Sequence, residues 1–289
     1  LLLIERQLGI PVLGTIHHPI TVDRRLEMAA AESWYKRLTL RRWYAFVDMQ
    51  TQVARRLQRI ITVSENSFKD IVVDHKVDPN RMAVVPVGVD IELFKPLPEV
   101  QVVPGRLVTT ASADVAMKGL RYLLEAVAKL RTERDDIHLV VIGKRKPGGA
   151  SDETIKKLGL EAHVEFVTGV TEQRIIELYS EAEMAVVPSL YEGFSLPAIE
   201  AMACGAPLVG TTGGAVPEVI GDDGDTAMVV PPGDSEALAA KIRWGLDQPD
   251  LRGTIGTRGR QRIVDRWSWK HTALKTVEQY RIRLEGEHS

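Results

Sequence analysis

The chain has 289 residues, of which 44% are hydrophobic and 26% charged, a balance that suits two soluble globular domains and argues against a disordered or fibrous chain. A net charge of -2 gives no global electrostatic reason to bind nucleic acid. The one cysteine, Cys204, excludes an intramolecular disulfide and a cysteine-based zinc cluster, and no apolar run reaches the roughly 18–20 residues of a membrane span.

The chain opens at Leu1 with no charged region ahead of an apolar stretch, so it does not read as a signal peptide. Leu1–Arg6 reads as the end of an amphipathic helix, and the chain as a fragment. Pro11–His17 is a strand candidate, residues 24–59 are mostly helical, and Ile60–Ser64 is a second strand. Ser64 or Asn66 can cap a helix running through Val73, and Met82–Val87 is a third strand. Three strands make a poor free-standing sheet, which upstream residues would complete. The segment Lys95–Pro104, with three prolines, reads as a hinge.

From Arg106 the pattern becomes regular. Leu107–Ser112 reads as a buried strand, and Leu120, Leu123, Leu124, Val127 and Leu130 form one helical stripe. Strand candidates His138–Gly143, Val164–Gly169, Met184–Ser189, Pro207–Thr211 and Ala227–Val230 follow. The helices between and after them are Thr171–Ala182, Pro197–Cys204, a short turn near Pro217–Ile220, and Ser235–Trp244. Strands that alternate with helices must run parallel, because each crossover reverses the chain. The expected fold is doubly wound α/β, with ligands gathering at the carboxyl ends of the strands.

The most informative stretch runs from Pro188 to Gly205, PSLYEGFSLPAIEAMACG. A strand ends, a glycine-bearing loop follows, and a helix starts with Pro197 in its first turn. Unpaired N–H groups and the helix dipole there make an anion site suited to a diphosphate. Glu192 in the loop and Glu200 in the helix can each accept two hydrogen bonds from a vicinal diol. On residue types alone, a strand–loop–helix unit with two surface glutamates is the competing reading.

The whole word resembles the Glu–seven residues–Glu signature of the retaining GT-B glycosyltransferases of group 1 or family 4 type, and the resemblance runs over almost the whole chain. It implies two Rossmann-like doubly wound α/β domains facing across a cleft, the N-terminal one incomplete. Residues 1–97 would be the acceptor side, 98–267 the nucleotide-sugar-binding domain, and 268–289 a helix packing back on the first. The resemblance gives Glu192 the donor sugar and Glu200 the ribose, with the backbone of Gly193, Phe194, Ser195 and Leu196 facing sugar and phosphates. Thr212–Glu218 matches the next word of the family, with Gly213 and Gly214 allowing close approach; Glu218 itself reads equally well as an exposed helix-start acid.

Upstream, Ala111–Gly119 matches the place where the family carries an arginine and then a Lys-Gly pair, both cations neutralising the leaving diphosphate. Lys118 matches the lysine. Ser112 or Ala113 stands where the arginine is expected, and loss of that charge should cost rate. Arg145, after the next strand, is a substitute source of charge; solvated surface is the alternative for Lys144, Arg145 and Lys146 together, and reliance on Lys118 alone is another. In the N-terminal part the family's histidine beside the transferred sugar aligns best with His17, with His18 in reserve.

The activity implied is transfer of a hexose from a UDP- or GDP-linked donor to a glycan, lipid or small-molecule acceptor, with retention and by a front-face route. No cofactor and no metal are expected; Asp222-Asp223 sits in a turn instead of forming a metal site. A non-catalytic nucleotide-sugar-binding module and a sugar-nucleotide epimerase of the same fold are the rivals. A reducing, cytoplasmic setting is expected. The stretch Trp34–Arg59 carries seven cations, Lys36, Arg37, Arg41, Arg42, Arg55, Arg56 and Arg59, with the aromatics Trp34, Tyr35, Trp43 and Tyr44. It reads first as a helix with a solvated basic face and an aromatic core face, and second as a peripheral contact for an anionic membrane.

Overall fold

Leu107, Leu139, Val141, Met184 and Val186 alternate along their strands with Val108, Val140, Ile142, Ala185 and Val187, and the two sets are buried on opposite faces of one sheet. Both faces of such a sheet must be covered, and the helices between the strands supply the cover. A computed structural model describes residues 7–31, 33–111 and 115–285. The chain divides into two compact units, one made of residues up to Val87 together with those from Lys270, the other of Gly88–Trp269.

The larger unit holds a six-stranded parallel sheet. Its strands are β4 (Val103–Thr110), β5 (His138–Ile142), β6 (Val164–Val167), β7 (Ala182–Val187), β8 (Leu208–Thr211) and β9 (Met228–Val230), in the order β6-β5-β4-β7-β8-β9. This is the doubly wound order, and its topological switch point lies between β4 and β7. One face is covered by α5 (Leu120–Arg131), whose Leu120, Leu123, Leu124, Val127 and Leu130 are all buried, and by α10 (Ser235–Leu246). The other face is covered by α7 (Glu172–Glu181), α8 (Leu196–Ala203) and the short α9 (Val216–Ile220), with Ile263 of α11 (Pro249–Arg266) in the same core. Helix α6 (Ala150–Lys157) and α11 are additions to the sequence reading.

The boundary between the units falls before Gly88, upstream of the proline-rich hinge expected at residues 95–104. Val89 pairs with Ser268 and donates to the Trp267 carbonyl at 2.8 Å. Phe94 enters the core of the larger unit, and the Arg260 guanidinium donates to the carbonyls of Phe94 at 3.0 Å and Ile91 at 3.4 Å. These bonds tie residues 88–94 to α11, a partner more than 160 positions away in sequence.

The smaller unit has a parallel sheet of β1 (Gly14–Thr15), β2 (Ile60–Thr62) and β3 (Met82–Val84), in that order. Ile60, Ile71, Leu57, Val77 and Met82 form its core. The predicted long helix is three pieces, α1 (Ile20–Ala30), α2 (Trp34–Trp43) and α3 (Phe46–Ala54). The break before α2 is set by Ser33, whose hydroxyl caps the new helix by accepting from the Lys36 N–H. Ser64 caps α4 (Glu65–His75) in the same way, accepting from Ser67 N–H at 3.0 Å. The last helix, α12 (Trp269–Glu285), joins this unit: Arg59 donates to Gln279 Oε1 at 2.9 Å and Thr272 to the Pro86 carbonyl at 2.8 Å.

Candidate functional site

Three loops meet at the carboxyl end of the larger sheet, at its switch point. The loop after β4 winds into a short 3-10 turn, Ala116–Lys118, and ends on Gly119 with φ +67°. That conformation favours glycine, and a Cβ there would overlap the Pro188 carbonyl of the loop after β7. The two loops are stitched by Leu190 N–H donating to the Met117 carbonyl at 2.7 Å.

This juxtaposition brings Lys118 to Glu192. The Lys118 ammonium donates to both carboxylate oxygens, at 2.9 and 3.0 Å, and the Ser189 hydroxyl adds a third bond at 2.8 Å. Glu192 is buried at 7% exposure, whereas the lysine side chain keeps 30% of its surface open. A buried carboxylate needs this degree of pairing.

The third loop follows β8. Thr211 donates its hydroxyl proton to the Ser189 carbonyl at 2.5 Å and accepts from Gly213 N–H at 3.2 Å. Gly213 passes so close that a Cβ would lie 2.6 Å from the carbonyls of Ser189 and Leu190. Ala215 N–H donates to the Glu192 carbonyl at 2.8 Å, locking the glutamate backbone to this loop. Ser189 and Thr211 were missed in the sequence, where a serine three residues before a glutamate is too common to stand out.

Helix α8 starts at Leu196, with the buried Ser195 at its N-cap and Pro197 in its first turn. The Ser195 hydroxyl has no hydrogen-bond partner among the described residues. Leu196 is exposed, and Phe194 packs edge-on against Trp267 with ring centroids 5.7 Å apart. Glu200 is half-buried in the second half of α8. Burial, with a smaller contribution from the charge of Glu172 on α7, pushes its carboxyl from 4.5 up to about 7.

Arg145 stands after β5, where its guanidinium is held by the buried Asp152 of α6: the Nε bond is 2.8 Å, and Nη2 reaches the same oxygen. Asp152 also accepts from the Gly148 N–H and pairs with Lys156, each at 3.0 Å. These three donors hold its carboxyl well below the usual range, the Gly148 bond contributing most. The charge of Arg145 is thus already matched by the helix that follows its loop. Ser112 and Ala113, the two positions read as standing where the family arginine is expected, lie outside the described residues.

In the smaller unit His17 follows β1 and is exposed, whereas His18 is turned to the Asp23 carboxylate at 3.0 Å. Among the described residues no group of three or more His, Cys, Asp or Glu side chains is placed to hold a metal ion, and no helix is long and apolar enough to cross a membrane.

Residues 102–262 match the family described as glycosyl transferases group 1, more than half of the chain, and residues 1–93 match glycosyltransferase family 4. The MMP alpha-(1->4)-mannosyltransferase of Mycolicibacterium hassiacum is 45% identical over 95% of this chain and 66% of its own length. A D-inositol 3-phosphate glycosyltransferase of Kineococcus radiotolerans is 29% identical over 80% of the chain and 59% of its own. The chain thus spans two thirds or less of these relatives. Among solved structures, sucrose-phosphate synthase of Thermosynechococcus elongatus superposes with a TM-score of 0.81 at 24% identity, over 99% of this chain and 71% of that one. Anabaena HepE in complex with UDP superposes with a TM-score of 0.77 at 18% identity, over 96% and 74%. The fold is that of the GT-B glycosyltransferases.

Proposed function

The chain belongs to the group 1 glycosyl transferases, and from that premise we propose that it serves transfer of a hexose from a nucleoside diphosphate sugar, with retention of anomeric configuration. The observation that carries the reading is the Lys118–Glu192 pair at the switch point of the larger sheet. The lysine keeps an open edge, so an entering diphosphate can take the ammonium over. Glu192, still held by Ser189, then has a carboxylate oxygen to offer to the donor sugar's hydroxyls. The N-terminus of α8, with the backbone of Gly193–Leu196, receives the phosphates, and Glu200 the ribose diol.

In the transfer, the bond from the anomeric carbon to the diphosphate oxygen breaks and a bond to the acceptor oxygen forms on the same face. The acceptor's proton passes to a diphosphate oxygen, and Lys118 with the helix dipole stabilises the charge on the leaving group. These groups perform the work a divalent cation would otherwise do, so the reaction proposed is metal-independent. With Arg145 held by Asp152, the charge on the leaving group falls to Lys118. We assign His17 to the transferred sugar on its resemblance to the family's strand-end histidine, and Gly213 and Gly214 to the close approach of the loop after β8. The relative named for mannose transfer in alpha-(1->4) linkage favours a mannose or glucose donor and a glycan acceptor, with GDP or UDP as the leaving group.

The test is incubation of the chain with GDP-mannose or UDP-glucose and an oligosaccharide acceptor, followed by proton NMR of the anomeric signals. An α-linked product from the α-linked donor supports the reading. A β-linked product overturns retention, and neither transfer nor donor hydrolysis overturns the enzyme assignment.

A further inference from the structure

The guanidinium of Arg145 has one edge occupied and one edge free. Its Nε and Nη2 both donate to Oδ1 of Asp152, the first at 2.8 Å, whereas Nη1 and the remaining N–H of Nη2 have no partner among the described residues. Those two groups form the end of the guanidinium fork, which presents parallel N–H donors. The arginine side chain keeps 42% of its surface exposed, and the aspartate 3%. The fork is also held still. Asp152 is fixed by Gly148 N–H and Lys156 Nζ, each at 3.0 Å, and the guanidinium lies over the Phe166 ring, 6.0 Å from its centroid. With a carboxylate on one edge, the charge is already neutralised. What remains is direction, which suits a neutral partner with two adjacent acceptors better than a phosphate.

The position of the fork says which partner that is. Arg145 follows β5 at the carboxyl end of the sheet, and Phe166 belongs to β6. These strands stand one and two places from β4, whose loop carries Lys118, or about 5 and 10 Å at the usual strand spacing. The helix after β6 borders the same space, since the charge of Glu172, its first residue, acts on Glu200. A nucleotide with its diphosphate at Lys118 and its ribose at Glu200 has only its base left to place, and the loop after β5 lies within that reach.

We infer, resting on the reading of the switch point as a donor site, that Arg145 reads the base of the donor nucleotide and that this base is guanine. Guanine presents O6 and N7 as adjacent acceptors, the pair that an arginine fork meets with two bonds. Adenine has an amino donor in place of O6, and that donor would face the N–H groups of the guanidinium. Uracil offers its O4 there with no second acceptor beside it.

The experiment is calorimetric titration of GDP, UDP, ADP, inosine diphosphate and 7-deaza-GDP into the full chain and into Arg145→Lys. GDP should bind the unsubstituted chain at least roughly tenfold more tightly than UDP or ADP, the discrimination of one bidentate pair. Inosine diphosphate, which keeps O6 and N7, should match GDP within about threefold. Loss of N7 in 7-deaza-GDP should weaken binding by about fivefold or more. Arg145→Lys keeps the charge and loses the fork, so it should bring GDP down to the affinity of UDP and leave UDP unchanged. Asp152 retains Gly148 and Lys156 as partners in that variant, and circular dichroism checks its fold; if it does not fold, the 7-deaza-GDP comparison in the unsubstituted chain decides alone. UDP or ADP binding as tightly as GDP, 7-deaza-GDP equal to GDP, or a GDP preference that survives in folded Arg145→Lys overturns the inference and leaves the donor site standing. A folded chain that binds no nucleotide overturns the donor site and the inference together.

Discussion

Lys118 and Glu192 reach each other from the ends of β4 and β7, the two strands that flank the switch point, and the ammonium spans both carboxylate oxygens at 2.9 and 3.0 Å. Ser189 is the glutamate's other partner, at 2.8 Å. The pair couples the backbone geometry of the site to its charge.

Removing one partner therefore has a structural and a chemical consequence. Lys118→Ala leaves a buried carboxylate with one hydroxyl partner, and a loss of about 1–3 kcal/mol is expected in urea unfolding. Transfer should fall by about 100-fold or more, as expected when a stabilising charge on a leaving group is lost. Lys118→Met combined with Glu192→Gln should restore stability without restoring the rate. Full activity in Lys118→Ala would remove the pair from the mechanism.

Two glycines with the same backbone conformation should respond differently. Gly148, φ +70°, has open space at its Cβ position, whereas Gly119, φ +67°, has the Pro188 carbonyl there. Gly148→Ala should cost about 1–2 kcal/mol, the strain of the left-handed conformation alone. Gly119→Ala should cost clearly more and move Lys118 away from Glu192. Equal losses in chemical denaturation would show that the two loops part freely.

Glu200 carries a pH signature. Its carboxyl is raised from 4.5 to about 7 in the folded chain, by burial first and Glu172 second. Between those values the folded state binds the proton that the unfolded state has released. This group's contribution to stability is thus most favourable below about pH 4.5, and it declines as pH rises to about 7. Glu200→Gln should flatten that part of the profile and be the more stable protein at pH 8. Parallel profiles for the two proteins would contradict the assignment.

Much of this was legible in the sequence because it is local. The stripe of Leu120, Leu123, Leu124, Val127 and Leu130 lies within one helix and the word from Pro188 to Gly205 is continuous in sequence, and the structure buries the stripe and starts α8 at Leu196 within that word. What could not be read depends on distant partners. The boundary at Gly88 is set by Arg260, and the matched charge of Arg145 by a carboxylate presented from α6, a helix the sequence reading did not include. The exposure of Trp34, Tyr35 and Trp43 on α2 was also misjudged, whereas Tyr44 just beyond that helix is buried as expected, since amphipathic spacing does not specify what a side meets.

The most direct measurement is calorimetric titration of UDP, GDP and ADP into the purified chain, with Glu200→Ala and Lys118→Ala alongside. The account predicts that one of the three nucleotides binds clearly more tightly, and that each substitution weakens it by at least about tenfold, or about 1.4 kcal/mol. A folded chain that binds none of them, or binds equally well after both substitutions, would contradict a donor site at the switch point.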